Sequence, residues 1–211
     1  MTLIVHHLQN SRSQRVLWLL EELGLPYEVR RYERDPKTML APPELKKVHP
    51  LGKSPVIEDE GMVIAETGAI IDHLVTKADG RFGPPADAQS KNRYRFYLHY
   101  AEGSLMPWLL VMLVIRRLGL FGRPARPTVQ GMVDQHLDFL ESELASRAWF
   151  AGDEFTAADV MMSFPLEAAR DRAGLDSSRP KLLNWLERIH ARPAYQAALA
   201  RGGPYAYADA L

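Results

Sequence analysis

The polar segment Asn-Ser-Arg-Ser-Gln-Arg, residues 10–15, carries side chains that can stabilise a negative charge. It lies between a short β-rich run and a run with helical apolar spacing, so it stands where a strand gives way to a helix. Hydroxyl and amide groups donate hydrogen bonds, and the free N–H groups of a helix start add the positive end of the helix dipole. The candidate donors are Ser11, Asn10 and Ser13. Ser11 with Gln14 also fits a capping box, which predicts a helix start at the same place.

The elements around this segment predict an α/β domain followed by an all-α domain. Residues 1–80 have the order β-α-β-α-β-β-α, with Gly24 as the end of the first helix. Glu60–Gly61 is the turn of a hairpin and the other connections are helical crossovers, so a mixed sheet is expected. Residues 81–88 concentrate Gly, Pro and Asp and are predicted to be a linker. Residues 89–211 have helical patterns alone, and their first long helix is expected to bend near Gly103 or Pro107.

Composition excludes several classes of function. The 211 residues contain 26 Lys and Arg against 26 Asp and Glu, so the net charge of zero argues against nucleic acid as a partner. Cysteine is absent, so the protein has no thiol nucleophile and no thiolate metal site. His6 and His7 are adjacent on a strand and lack acidic neighbours at ligand spacing, so we expect packed histidines and no metal. No signal peptide or membrane span is expected, which favours a cytoplasmic protein.

Four segments in order give the chain a family resemblance. They are SRSQRVLWLLEELGLPYE, ELKKVHPLGKSPVIED, IAETGAIIDHL and FTAADVMMSFPL. The chain resembles the cytosolic glutathione S-transferases over essentially its full length. The segments RDPKTMLAPPELKKVHPLGKSP and FYLHYAEGSLMP are similar to a fungal-type and bacterial branch of that superfamily. The resemblance implies a thioredoxin-like first domain, a helical second domain, a homodimer, and glutathione as the co-substrate of a cytoplasmic detoxification transferase.

The resemblance also assigns residues to glutathione. Pro55 matches a cis proline that presents the backbone of Ser54 to the cysteinyl part of the ligand. Glu66 and Thr67 match a Glu-Ser pair that binds the γ-glutamyl end, and Thr67 keeps the hydroxyl. The glycine carboxylate needs a cation, for which Lys53 is the best placed, with His49 and Lys37 as weaker candidates.

The long helix of the second domain matches the helix that lines the electrophile pocket in this family. Tyr100, Trp108 and Met112 are the candidate pocket residues on that helix. The alternative for each of them is an ordinary place in the core of the helical domain. A separate local pattern, Thr156 followed three residues later by Asp159, predicts a capping box at the start of another helix.

The catalytic hypothesis follows from the chemistry of the thiol. A free thiol has a pKa of about 8.5 and is mainly protonated at neutral pH, so a transferase of this kind must stabilise the thiolate. Tyrosine and cysteine are both absent from the polar segment, so the tyrosine-type and cysteine-type mechanisms of the family are excluded. The hydroxyl of Ser11, the amide of Asn10, the hydroxyl of Ser13 or backbone N–H groups alone remain as donors. Glutathione-dependent peroxide or disulfide reduction and non-catalytic ligand binding are the alternative functions.

Overall fold

The computed structural model describes residues 2–208 and divides into two compact units. The first unit consists of the residues up to Gly83 together with the segment from His190 onward. The second unit runs from Pro84 to Ile189. We describe each unit by itself.

The first unit is built on a four-stranded sheet of order β2-β1-β3-β4. Strand β1 pairs parallel to β2 and antiparallel to β3, and β3 and β4 form an antiparallel hairpin. The mixed sheet predicted from the sequence is therefore confirmed. The elements are β1 Leu3–Leu8, α1 Ser13–Leu23, β2 Tyr27–Tyr32, α2 Leu45–Val48, β3 Val56–Asp59, β4 Met62–Ala65 and α3 Thr67–Lys77.

Local chemistry accounts for the ends of several elements. Gly24 ends α1 in the left-handed conformation, with φ 63°, and its N–H is directed to the carbonyls of Glu21 and Leu20. The hairpin turn at Glu60 and Gly61 has φ of 50° and 83°, as the tight turns of twisted hairpins require. Both ends lie where the sequence predicts them.

The capping box expected between Ser11 and Gln14 is wrong. Helix α1 follows Arg12, and Gln14 N–H donates to the backbone carbonyl of Ser11 at 3.2 Å. The Gln14 side chain is buried, and its amide has no hydrogen-bond partner among the described residues. It lies toward Gly202, where an added Cβ would be 2.9 Å from Gln14 Oε1, so helix packing holds this side chain away from the cap.

Helix α9, Pro193–Gly202, packs on α1. An added Cβ at Gly202 would also be 3.0 Å from Leu17 Cδ1, so the two helices approach closely at this glycine. The sequence prediction assigned residues 89–211 to the helical domain, whereas the structure groups the segment from His190 onward with the first unit. The apolar pattern of α9 reveals that it is a helix and does not reveal which surface it covers.

The described residues of the second unit form helices joined by loops, with no strand. Its elements are α4 Ala88–Tyr100, α5 Met106–Arg117, α6 Arg126–Ala145, α7 Ala157–Ala173 and α8 Pro180–His190. A π-helical turn, Ala101–Leu105, joins α4 to α5 near the expected bend, and a 3-10 turn, Gly119–Gly122, follows α5. By length and composition the run Ala88–Arg117 could span a bilayer, and 44% of its most apolar window is buried in the protein.

The predicted capping box at the start of α7 is confirmed. Thr156 precedes the helix in an extended conformation, and the Asp159 side chain accepts from the Thr156 N–H at 3.0 Å. Asp159 also accepts from the N–H of Phe150 at 3.0 Å and from Trp185 Nε1 at 3.3 Å. Burial raises the pKa of this carboxyl to about 6 despite these donors.

Candidate functional site

The pairing of β1 with β3 brings the loop after β1 to the turn before β3. His6 is opposite Val56 in the antiparallel register, so Leu8, two residues on, lies beside the residues that precede β3. The Leu8 N–H is 3.2 Å from Ser13 Oγ and 3.3 Å from Ser54 Oγ. Two of the segments that the sequence singles out therefore meet at one backbone N–H.

A chain of three side chains runs inward from the start of α1. The hydroxyl oxygens of Ser11 and Ser13 are 2.7 Å apart, and Ser13 Oγ is 2.8 Å from His7 Nδ1. The Ser13 N–H also donates to Ser11 Oγ at 3.2 Å. Ser13 is fully buried, whereas Ser11 keeps 5% of its surface exposed at the outer end of the chain. Of the two serines, Ser11 is therefore the one with access to a ligand.

His7 closes the inner end of this chain. Burial, reinforced by the positive charge of Arg31, lowers the pKa of His7 to about 4, and a hydrogen bond to the backbone of Gly202 opposes that shift. His7 is consequently neutral at physiological pH. A neutral imidazole has one donor and one acceptor nitrogen, so its tautomer sets which way the Ser13–His7 hydrogen bond points. His6, its neighbour, instead contacts Glu58 through Nε2 at 2.7 Å and the Tyr32 hydroxyl through Nδ1 at 2.8 Å.

Asn10 has a conformational role in the structure. Its φ is 52°, in the left-handed region that asparagine tolerates better than most residues. Its side-chain Oδ1 accepts a hydrogen bond from the Ala206 N–H at 2.8 Å, and its carbonyl accepts from Arg34 at 3.2 Å. The amide oxygen thus holds the C-terminal segment of the chain.

The bond between Ser54 and Pro55 is cis, as the resemblance implied. The Ser54 hydroxyl donates to the carbonyl of His6 at 2.9 Å, which fixes this turn against β1. Pro55 has no N–H, so its position just ahead of β3 leaves no ladder donor unpaired.

Glu66 and Thr67 lie at the start of α3. Glu66 has φ 71° and precedes the helix, and Thr67 is its first residue and is buried. Arg15 of α1, with 1% of its surface exposed, donates from Nη2 to the Thr67 hydroxyl at 3.3 Å. A buried guanidinium therefore lies directly behind the helix N-terminus, and both favour an anion there. Sequence reasoning missed Arg15, because its place inside an apolar helical pattern gives no local signal of a contact to α3.

The three cationic candidates for the glycine carboxylate are less closely held. Lys53 and Lys37 are exposed, and His49 is half-buried just after α2. Lys53 directly precedes Ser54, so of the three it is adjacent in sequence to the turn that meets β1.

The structure places the three electrophile candidates in the helical unit. Tyr100 and Met112 are buried, and the Tyr100 hydroxyl lies 2.6 Å from His136 Nδ1. Trp108 is half-buried and packs against the cluster of Met112, Ile115 and Val129. Exposed apolar side chains occur beside them on α5, at Leu110, Val111 and Val114.

A mixed four-stranded sheet, a cis proline ahead of β3 and an anion-favouring helix start at α3 define a thioredoxin-like domain, here followed by a helical unit. The family model of the glutathione S-transferase N-terminal domain matches residues 1–76, and that of the C-terminal domain matches residues 123–188. The chain belongs to the glutathione S-transferase family, which confirms the family and the transferase class predicted from the sequence.

Known relatives align with nearly the whole length of this chain. The chain is 36% identical to glutathione S-transferase 3 of Schizosaccharomyces pombe, an alignment that covers 93% of this chain and 86% of the relative. A glutathione S-transferase structure from Actinobacillus pleuropneumoniae is 33% identical, with a TM-score of 0.88 over 99% of this chain and 95% of the other. A sphingomonad glutathione S-transferase complexed with glutathione shares the fold, with a TM-score of 0.79 at 22% identity over 95% and 98% of the two chains.

Proposed function

We propose that the protein binds glutathione in its first unit and transfers the thiol sulfur to a hydrophobic electrophile, with the Ser11 hydroxyl as the donor to the thiolate. The observation that carries this assignment is the 2.7 Å contact between Ser11 Oγ and Ser13 Oγ. Because neutral His7 donates to the backbone of Gly202, its Nδ1 accepts the Ser13 proton. Ser13 then accepts from Ser11, and the Ser11 hydroxyl turns to the thiolate when glutathione binds. Ser13 is fully buried, so it contacts Ser11 and does not contact a ligand itself.

The electrostatic requirement on the site is modest. Each unit by which the thiol pKa falls corresponds to about 1.4 kcal/mol of preferential thiolate stabilisation. A hydrogen bond to a charged group contributes about 1.5–3 kcal/mol, so one hydroxyl donor accounts for a shift of about one to two units. The N-terminus of α1, which begins at Ser13, adds to this. No general base is needed at this scale.

The rest of glutathione is assigned to the groups around Ser11. The γ-glutamyl carboxylate binds at the N-terminus of α3 and to the Thr67 hydroxyl, with the buried Arg15 behind them. The ammonium of the same γ-glutamyl group binds to Glu66. The backbone of Ser54, ahead of the cis Pro55, receives the cysteinyl part. Lys53 is the cation for the glycine carboxylate, with His49 as its neighbour in the chain. The sphingomonad relative described as complexed with glutathione supports a ligand of this kind in the shared fold.

The reaction is a nucleophilic transfer without metal. The thiolate sulfur forms a bond to an electrophilic carbon, and the leaving group departs with the bonding electrons or, in an addition, a proton is taken from water. The Ser11 hydroxyl releases the sulfur as its charge is lost. We assign the electrophile to apolar side chains of the helical unit, with Trp108 and the exposed Leu110 and Val114 as candidates alongside Tyr100 and Met112.

The test is a Ser11→Ala, Ser13→Ala and Asn10→Ala series in which the ionisation of bound glutathione is followed by the ultraviolet absorbance of the thiolate. We expect Ser11→Ala to raise the thiol pKa by about one to two units, in line with one lost charged hydrogen bond. Asn10→Ala should leave the thiol pKa near the wild-type value, because Asn10 Oδ1 holds Ala206. An unchanged thiol pKa in Ser11→Ala would remove Ser11 from the proposal.

Turnover assays separate the two other functions. An aryl halide reports transfer, whereas cumene hydroperoxide reports glutathione-dependent reduction, and retention on immobilised glutathione without turnover of either would indicate a binding protein. We also propose that the protein acts in the cytoplasm as a homodimer, as its family resemblance implies. Sedimentation at micromolar concentration tests the dimer, and fractionation of cells tests the location.

A further inference from the structure

The turn between α5 and α6 exposes a group of large apolar side chains. Leu118 is 52% exposed, Leu120 is 70% exposed and Phe121 is 91% exposed. We call these three residues the apolar tip. Scattered exposed apolar side chains are ordinary, but three within four residues, one of them an aromatic ring almost fully in solvent, mark a surface for contact with something else.

The turn that carries the apolar tip is closely packed against the end of α5. Gly119 has φ 55°, in the left-handed region, and starts a 3-10 turn that ends at Gly122. A Cβ at Gly122 would overlap the carbonyl oxygen of Ile115, so only glycine allows the turn to fold back so closely. Leu120 and Phe121, between the two glycines, are therefore held outward by the backbone.

Arginines flank the apolar tip in the sequence, and acidic residues are absent from the same part of the chain. Arg116 and Arg117 precede the tip, and Arg123 and Arg126 follow it. Residues 103–133 contain these four arginines and no Asp or Glu. Although the net charge of the whole chain is zero, residues 103–133 therefore carry a net positive charge.

A concavity of about 360 Å³ lies beside the tip. Three arginines, Arg116, Arg123 and Arg126, contribute to its lining, with Ile115, Gly119 and Leu120 as the remainder. Arg116 Nη1 donates to the carbonyl of Asp171 at 3.0 Å. Within residues 2–208 the guanidinium groups of Arg123 and Arg126 make no hydrogen bond or ion pair, so their donors face the concavity or solvent without a protein acceptor.

We propose that the apolar tip docks the protein peripherally on an anionic phospholipid bilayer. The guanidinium groups of Arg116, Arg123 and Arg126 receive lipid phosphates, for which their planar donor arrangement is well suited. Leu120 and Phe121 enter the region between headgroups and acyl chains, where leucine and aromatic side chains of interfacial segments lie. The charge complementarity favours an anionic bilayer surface, and the outward aromatic tip between arginines favours a bilayer over a soluble anion.

The experiment is sedimentation of the full-length protein with vesicles of phosphatidylcholine, with and without added phosphatidylserine. We expect binding to the mixed vesicles alone, and weakening as salt is raised, because surface charges are screened. Arg123→Gln with Arg126→Gln should reduce the partition coefficient about thirtyfold. Leu120→Ser with Phe121→Ser should reduce it at least about tenfold through lost apolar insertion.

Matched controls use exposed residues that are not part of the tip. Leu40→Ser and Arg95→Gln, both at exposed positions, should bind the mixed vesicles like the wild type. Turnover of glutathione with an aryl halide should be unchanged in all variants in the absence of vesicles, so loss of docking is distinguishable from loss of the proposed reaction.

Four results would overturn the docking proposal. They are equal binding to neutral vesicles, tip variants that bind like the wild type, displacement from vesicles by soluble glycerol phosphate, and a change of oligomeric state in the Leu120→Ser, Phe121→Ser variant. The last two would identify a soluble anion or a second copy of the chain as the occupant.

Discussion

The hydroxyl of Ser13 has no access to solvent and lies within hydrogen-bond distance of Ser11 Oγ, His7 Nδ1 and the N–H and carbonyl of Leu8. Such a group cannot serve a ligand directly, but it restricts the orientation of the hydroxyl in front of it. Ser11 is that hydroxyl. At the scale of single residues, the site is a layered arrangement in which a buried neutral imidazole and a buried hydroxyl orient one partly accessible donor.

A neutral buried His7 makes stability depend on pH. The pKa of His7 is about 4 in the folded protein against an ordinary value of 6.5, so between these values the unfolded chain binds more protons. The contribution of His7 to the free energy of unfolding should therefore rise as pH increases from 4 to 6.5, by about 1.4 kcal/mol per unit and about 3 kcal/mol in all. Urea unfolding at a series of pH values measures this dependence.

His7→Asn isolates the contribution, since asparagine does not titrate. The difference in unfolding free energy between wild type and His7→Asn should shrink as pH falls from 6.5 toward 4. The Asp159 carboxyl, with its raised pKa, has the opposite pH dependence, but it is common to both proteins and cancels in the difference. The same comparison with His99→Asn, at an exposed position, should show no such trend. If the difference in unfolding free energy between wild type and His7→Asn did not change with pH, His7 would not be held neutral in the folded protein.

At the scale of elements, Asp159 joins the start of α7 to its surroundings. Its two oxygens accept from Thr156, Phe150 and Trp185, so one carboxyl satisfies donors from the cap, a loop and α8. Asp159→Ala leaves these buried donors without an acceptor, at a cost of about 1–3 kcal/mol for each unsatisfied group. We expect a total loss of about 3 kcal/mol and a melting temperature lower by about 6–12 °C.

Thermal unfolding followed by circular dichroism measures the loss. The matched control is Asp153→Asn, an exposed aspartate six residues earlier, which should change stability by less than about 0.5 kcal/mol. If Asp159→Ala and Asp153→Asn had the same melting temperature, the hydrogen bonds of Asp159 would contribute nothing to stability.

Sequence patterns predicted those features of the elements that depend on neighbouring residues. The Gly24 helix end, the Glu60–Gly61 turn and the Thr156–Asp159 box are all set within a few residues, where turn and cap chemistry is local. The contact of Arg15 with Thr67 joins residues 52 positions apart, and the position of Gln14 depends on α9, so neither leaves a local pattern. The choice among Ser11, Ser13 and Asn10 likewise rests on burial and on the Ala206 contact, which spacing does not reveal.

At the scale of the whole molecule, the first unit includes both ends of the described chain. Arg192, just ahead of α9, donates from Nε and Nη2 to the two Glu22 oxygens at 2.5 and 2.8 Å. The Glu22 side chain is nearly buried and also accepts from Trp18 Nε1 at 2.8 Å. This two-point ion pair holds residues that are 170 positions apart.

A double-mutant cycle measures what the pair contributes. Glu22→Gln and Arg192→Gln, singly and together, should give a coupling energy of about 1.5–3 kcal/mol in the free energy of unfolding, as for well-aligned, partly desolvated charged hydrogen bonds. The exposed pair of Lys77 with Glu60, at 2.7 Å, is the control and should give less than about 1 kcal/mol. Equal coupling in the two cycles would mean that burial adds nothing to the contact of Arg192 with Glu22.

The packing of α9 on α1 also bears on how the protein is made. A ribosome synthesises residues 1–83 first, but the helix that covers α1 and approaches His7 at Gly202 emerges only after the entire second unit has been translated. Domains usually fold in order as they leave the ribosome, N-terminal first. In this chain the first unit is completed only after the second has been translated, so the apolar surface of α1 stays uncovered, and the segment around Ser11 unsupported, until α9 has been made.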